Sequence, residues 1–382
     1  MKFRLAFGLG AMLCSIEAIG DPLEYKIMTA VDADSNHQFI YNPALLDPNK
    51  KYYSFIALKD TKTSSVVASP NNNRQNISYS LKDDILAAGA MWPFGGGSFG
   101  VSYIRANQDL DADNDLISRV ITETRRDDIY AMKFIISMTP SLNFGFHYQY
   151  KQAAHHLNGS FFVNDDDRTN YKAFLSGYRL GIYYSNQKMG LGLYTAPPTR
   201  GKALIDGENK IVAESGTGGL DFKYKLSDKT SLGLGATRWF YRKDDRLELS
   251  TSPVDMRNIS LNGIDLDQYL AKIQNFRLGV IHRVKPQLSI LASLAQQESV
   301  FHFNEDGLPG DDRENVPSFR YLQFHIGGMY TKNRFAMELS YHITDREQSS
   351  IIDNTQKLGN REYESYSAKE TGVIIKVTFK AS

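Results

Sequence analysis

The feature that most limits what this chain can fold into is a strict two-residue alternation, repeated along most of its length. In SLNFGFHYQYK, Leu142, Phe144, Phe146, Tyr148 and Tyr150 make one row, and Ser141, Asn143, Gly145, His147, Gln149 and Lys151 the other. Similar apolar rows are Tyr130–Met138, Phe174–Tyr184, Leu220–Leu226, Phe335–Ile343 and Val373–Phe379, each interleaved with polar or small residues. Period two is the signature of a strand with one apolar face. The runs predict strands of about ten to thirteen residues, whereas soluble strands are typically ~5–6. A tilted strand needs ~9–11 residues to cross a bilayer. In lipid every backbone polar group must be paired, so such a sheet must close on itself. The expected fold is therefore all-β: a transmembrane antiparallel β-barrel with its apolar rows toward lipid and its polar rows toward the lumen. Soluble sandwiches also alternate, but with shorter and less aromatic strands.

The connections alternate as well. Short turns fall at 94–97, 138–141, 185–188, 226–229, 284–286 and 331–333, and long loops near 107–127, 152–172, 196–216, 242–271, 299–317 and 345–367. Short turns face the periplasm and long loops the exterior in such barrels. Counting back from the C-terminus requires one strand over about 75–94 and one over about 51–60, for a total of about fourteen. Lys82-Asp83-Asp84 interrupts the first of these, and a bulge or kink is expected there.

The chain has 382 residues and a net charge of +1, without the basic excess of a nucleic-acid binder. Its N-terminus reads as a signal peptide over residues 1–20: Lys2 and Arg4, an apolar Leu5–Ile16 core, and the small residues Ala18 and Gly20. The one cysteine, Cys14, lies inside it, so disulfides cannot staple the mature chain. Residues 21–50 precede the barrel, which is expected over 51–382. They include AVDADSNHQFIYNPALLDP, whose Asn-Pro and Asp47-Pro48 are turn chemistry unsuited to a barrel strand.

With about fourteen strands behind it, that segment resembles the outer-membrane transporter family of long-chain fatty acids and aromatic hydrocarbons (the FadL/toluene-transporter type). Tyr41, Asn42, Pro43 and Ala44 match the family's aromatic plus Asn-Pro-Ala motif, and Asp32, Ala33, Asp34 and Ser35 stand where its small acidic run would be. The resemblance implies an N-terminal hatch inside the lumen, carried by Asn42, Pro43 and Ala44. It also implies passive passage of a hydrophobic small molecule into the periplasm and residence in the bacterial outer membrane. The implied partners are outer-membrane lipid and lipopolysaccharide, the substrate itself and the barrel-assembly machinery. The glycine-rich mature N-terminus common in the family is missing, and the chain ends three residues beyond its last aromatic, Phe379. By the same analogy the 75–94 strand is expected to offer a lateral opening.

Alternation turns Lys133, His147, Gln149, Arg179, Asp221, Lys223, Arg277, His325, Glu338, His342 and Lys376 toward the lumen. Confined charges are usually paired, and a salt-bridge lattice is one reading. The other is that Lys133, His147, Arg179, Arg277 and Lys376 serve as substrate-binding candidates, the cations holding a carboxylate through charge-assisted bonds. DLDADND at 109–115 is only superficially a calcium loop: it lacks the sixth-position glycine and has Val120 at the twelfth. His155-His156, expected in a loop, finds no third ligand at a metal-site spacing. Ser340 and His342 lie ~7 Å apart on one face, too far for a nucleophile–base bond without side-chain reach. No cofactor, metal site or enzymatic activity is expected. A general porin for polar solutes and a structural or adhesin-type surface barrel remain the alternative readings.

Overall fold

The computed structural model describes residues 42–45, 52–68, 77–114, 119–158, 168–205, 208–214, 216–240, 272–300, 303–304, 314–315, 318–353 and 361–380. These are all strand and turn, with no helix among them. The wall begins with β1 (Tyr53–Ala68), β2 (Ile77–Phe94), β3 (Gly97–Asn114), β4 (Arg119–Thr139), β5 (Leu142–Asn158), β6 (Arg168–Ser185) and β7 (Met189–Ala196). A hairpin follows, β8 (Thr199–Ile205) and β9 (Glu208–Glu214), and then β10 (Gly216–Lys225), β11 (Thr230–Phe240), β12 (Lys272–Lys285) and β13 (Leu288–Val300). Two short pieces, β14 (Phe303–Asn304) and β15 (Glu314–Asn315), precede β16 (Ser318–Lys332), β17 (Phe335–Asp353) and β18 (Arg361–Lys380).

Fourteen of these, β1–β7, β10–β13 and β16–β18, pair antiparallel in sequence order. β1 closes on β18 from Tyr53↔Lys380 to Ala68↔Ser365. The expected closed barrel of about fourteen strands is what the chain forms. Closure pairs the first strand with the last, so neither ends the sheet as a free edge in lipid. The apolar rows face outward, as Ile56 and Leu58 on β1, Phe134 and Ile136 on β4 and Ile375 on β18 illustrate, all exposed. Trp92 and Phe99 stack close to the short turn between β2 and β3, where an interfacial aromatic girdle belongs, and Phe99 tilts against Phe134 on β4.

Four expectations need correcting. First, the strands exceed ten to thirteen residues: β4 has 21 and β17 has 19. Much of what reads as loop at 107–127, 152–172 and 345–367 is strand that continues beyond the apolar band. There the sequence turns largely polar, which hides the alternation. Second, β2 is one strand whose pairing with β1 and β3 shows no register shift, so among the described residues 77–94 there is neither the kink nor the opening. Third, the calcium-like run to Asn114 is part of β3. Fourth, His155 and His156 belong to β5 rather than a loop. The expected signal peptide and most of the expected hatch segment lie outside the described residues.

The wall does have an interruption elsewhere. β6 pairs with β7 over Leu180–Ser185 and with β8 over Tyr171–Phe174, but residues 175–179 have no partner in either ladder. Opposite them stand Pro197 and Pro198. Proline has no backbone N–H to donate, so the ladder cannot continue through the pair.

Candidate functional site in the lumen

Asn42–Leu45 lie against the inner wall as a tight turn. The Asn42 backbone carbonyl accepts from Leu45 N at 3.2 Å, and its side-chain Oδ1 accepts from Ala44 N at 2.9 Å. This is the Asx-turn chemistry that suits asparagine before proline. The other end of the same side chain reaches the wall: Nδ2 donates to Ile182 O at 3.1 Å. Asn42 and Ala44 are fully buried.

The wall receives this turn on glycine. Gly145 on β5, Gly181 on β6 and Gly192 on β7 all face it. A Cβ at Gly145 would fall on the backbone of Pro43 and Ala44; at Gly181 or Gly192 it would fall on the Asn42 side chain. Gly145 and Gly181 are direct cross-strand partners. Their value is the missing side chain, which lets two backbones approach closely. In sequence they look like the small members of a polar row, and nothing in their spacing says what they hold.

Basic residues border the turn. Lys133, His147 and Arg179 occupy successive cross-strand positions on β4, β5 and β6. All three are buried, and Lys133 Nζ reaches Leu45 O at 3.5 Å. Arg179 lies over the Tyr194 ring at 5.9 Å, and the Tyr194 hydroxyl bonds Thr237 at 2.6 Å. Arg277 bonds Asp221 at 3.2 Å, and Asp221 also neighbours Asn42. Lys376 is elsewhere: it pairs with Glu338 at 2.8 Å across β17–β18. The five candidates are thus all lumenal but not one cluster. Lys133, His147 and Arg179 stand together, Arg277 joins them through Tyr194 and Asp221, and Lys376 belongs to a separate ion pair. His325 and His342 face each other at 6.3 Å between ring centres on β16–β17.

The lumen also carries an apolar surface that the alternation does not reveal. Phe55, Ala57, Ile85, Ala87, Met91, Ile104, Ile129 and Ile135 form one buried cluster on the inner face of β1–β4. Ile129 and Ile135 sit in the inward row of β4, between residues already apolar on the outward row. A strand apolar on both faces reads as a plain hydrophobic run, so the signal was there but carried no face assignment. The lumen is therefore two-sided, with an apolar wall on β1–β4 and a basic corner beginning at Lys133.

No protein-family model and no curated protein matches the chain. Among solved structures it is similar to the Pseudomonas putida toluene transporter TodX (TM-score 0.57, 12% identity, 92% of this chain and 98% of that one). It is also similar to a Pseudomonas aeruginosa FadL homologue (0.52, 11%, 92% and 95%) and to the CymD monoaromatic hydrocarbon channel (0.51, 10%, 96% and 98%). At such identities the likeness establishes the fold, which is the FadL/toluene-transporter type of barrel that the Asn-Pro-Ala segment suggests.

Proposed function

We propose that this protein is a passive channel of the bacterial outer membrane for a hydrophobic small molecule with an anionic end, such as a long-chain fatty acid. The observation that carries the reading is the two-sided lumen. An apolar inner surface on β1–β4 abuts the Lys133–His147–Arg179 row. Burying a hydrocarbon tail releases about 25 cal/mol per Å², while charge-assisted bonds orient a carboxylate. The solved structures of similar fold include a toluene transporter, a monoaromatic hydrocarbon channel and a FadL homologue, which supports hydrophobic cargo.

In this reading the N-terminal segment is the hatch, and the Asn42–Ala44 turn on its glycine seat is the latch. Cargo enters from the exterior, settles between the apolar wall and the basic corner, and leaves when the latch lifts or sideways through the break between β6 and the β7–β8 junction, beside Pro197 and Pro198. The test is single-channel conductance in planar bilayers, comparing the full mature chain with one lacking residues 22–48. A closed full chain and an open truncated one support the hatch. Equal conductance would move the reading to a porin, and folded but silent barrels to a surface scaffold.

A further inference from the structure

We infer that Arg105 and Arg126, on the outer surface of β3–β4, form a binding site for the phosphate of an outer-leaflet glycolipid of the lipid A type. The site rests on the reading of an outer-membrane barrel with its short turns toward the periplasm, but not on any lumenal function.

The arrangement begins with Asp128. Its Oδ1 accepts from Arg105 Nε at 2.9 Å and its Oδ2 from Arg126 Nε at 2.8 Å, and the Tyr103 hydroxyl also bonds this carboxylate. Arg105 and Asp128 are direct cross-strand partners, and Arg126 lies two residues along on the same face. Asp128 is largely covered, its side chain 13% exposed, while the arginine side chains are 36% and 51% exposed. Each guanidinium is thus pinned through Nε, which leaves its Nη edge to face outward. Two guanidinium groups against one carboxylate keep a net positive charge. Fixing the forks in advance lowers the entropy lost on binding, and arginine matches phosphate oxygens in pairs. Arg105 also lies over the Tyr103 ring at 5.6 Å.

Depth selects the ligand. On β4 the outward row is apolar from Met138 to Tyr130, about 26 Å along the strand and about 20 Å of depth at a ~40° tilt. It ends in the aromatic pair Tyr103–Tyr130, 5.1 Å between ring centres. Interfacial aromatics mark the headgroup level. Asp128 and Arg105 are the next outward pair beyond that level, on the side away from the short turns. A cationic fork there meets lipid headgroups rather than acyl chains or free solution. Lys82, further out, is held by Asp84 at 2.9 Å and is not part of the fork.

The test uses the full mature protein in detergent, with native mass spectrometry counting bound lipid. The probes are bisphosphorylated lipid A and the same lipid stripped of both phosphates. Wild type should bind the phosphorylated lipid about tenfold more tightly than the stripped one, and R105Q/R126Q should lose that preference. R105K/R126K, which keeps charge but not the fork, should retain only part of it. The heat-dependent gel shift of a folded barrel checks each variant, and the single R126Q serves if the double variant does not fold. Equal binding by wild type and the Gln variants, or equal binding of stripped lipid, overturns the site. Displacement of lipid A by millimolar inorganic phosphate would assign the fork to free phosphate and overturn it too.

Discussion

Asn42 and Ile182 are 140 residues apart in the chain, yet the side-chain amide of the first donates to the backbone carbonyl of the second at 3.1 Å. One residue thereby shapes its own turn with its oxygen and fastens that turn to the barrel with its nitrogen. Asn42→Ala removes both bonds and should weaken docking by about 1–3 kcal/mol. Gly181→Leu should expel the turn outright, since the space its side chain needs holds Asn42. Both variants are expected to raise open probability in planar bilayers while leaving the barrel folded. Unchanged conductance in both would mean the turn blocks nothing.

The seam between β6 and β8 can be tested with a crosslink. A Cβ built on Gly177 lies 3.9 Å from the Thr199 Cβ, close to the ~3.8 Å of a disulfide. The one cysteine of the sequence, Cys14, lies in the expected signal peptide and is replaced by serine for this test. Oxidised G177C/T199C should fold, and its uptake of a labelled fatty acid should fall below that of the reduced form. Equal uptake in both forms would remove the seam from the pathway.

The basic row predicts selectivity by charge. Lys133→Met and Arg179→Met should each weaken binding of a carboxylated ligand about tenfold, the scale of one charge-assisted bond. They should leave an uncharged hydrocarbon of equal length unaffected. Ile104→Asn and Ile135→Asn, in the apolar wall, should weaken both ligands. Equilibrium binding to the purified barrel separates the two patterns.

Lys376 and Glu338 form a buried pair at 2.8 Å on adjacent strands. Glu338→Gln leaves a confined ammonium without its countercharge and should destabilise the barrel by about 3–5 kcal/mol. Adding Lys376→Met should recover much of that loss. Reversible urea unfolding in lipid measures both; no recovery would mean that Glu338 acts through other neighbours.

Phe134 and Gln149 test the two faces of the sheet. Phe134 is outward and exposed in the middle of the apolar band. Phe134→Arg should cost about 2–4 kcal/mol, as arginine does near a bilayer midplane, whereas Gln149→Arg in the lumen should cost far less. Similar costs in the same unfolding assay would contradict the assignment of faces.

Much of this architecture was legible because it is local. Whether Phe144 or Gly145 meets lipid follows from the two-residue period of a strand, a property of the backbone that needs no partner. The same rule placed Lys133, Arg179 and Lys376 in the lumen. It failed where the pattern lost contrast. Arg125 and Arg126 read as loop because β4 there has left the apolar band, and Ile129 and Ile135 were lost among the outward apolar residues of the same strand.

The sequence by itself determined a closed barrel of about fourteen strands and, where the alternation has contrast, which side chains face in. Only the tertiary structure decided which inward residues meet. Gly145, Gly181 and Gly192 become one seat, Lys133, His147 and Arg179 one row, and Arg105 and Arg126 one fork because of strand register. Register is a relation between chain segments tens of residues apart. A shift of one residue in any ladder would turn these rows to the opposite face, while each strand taken alone would look the same.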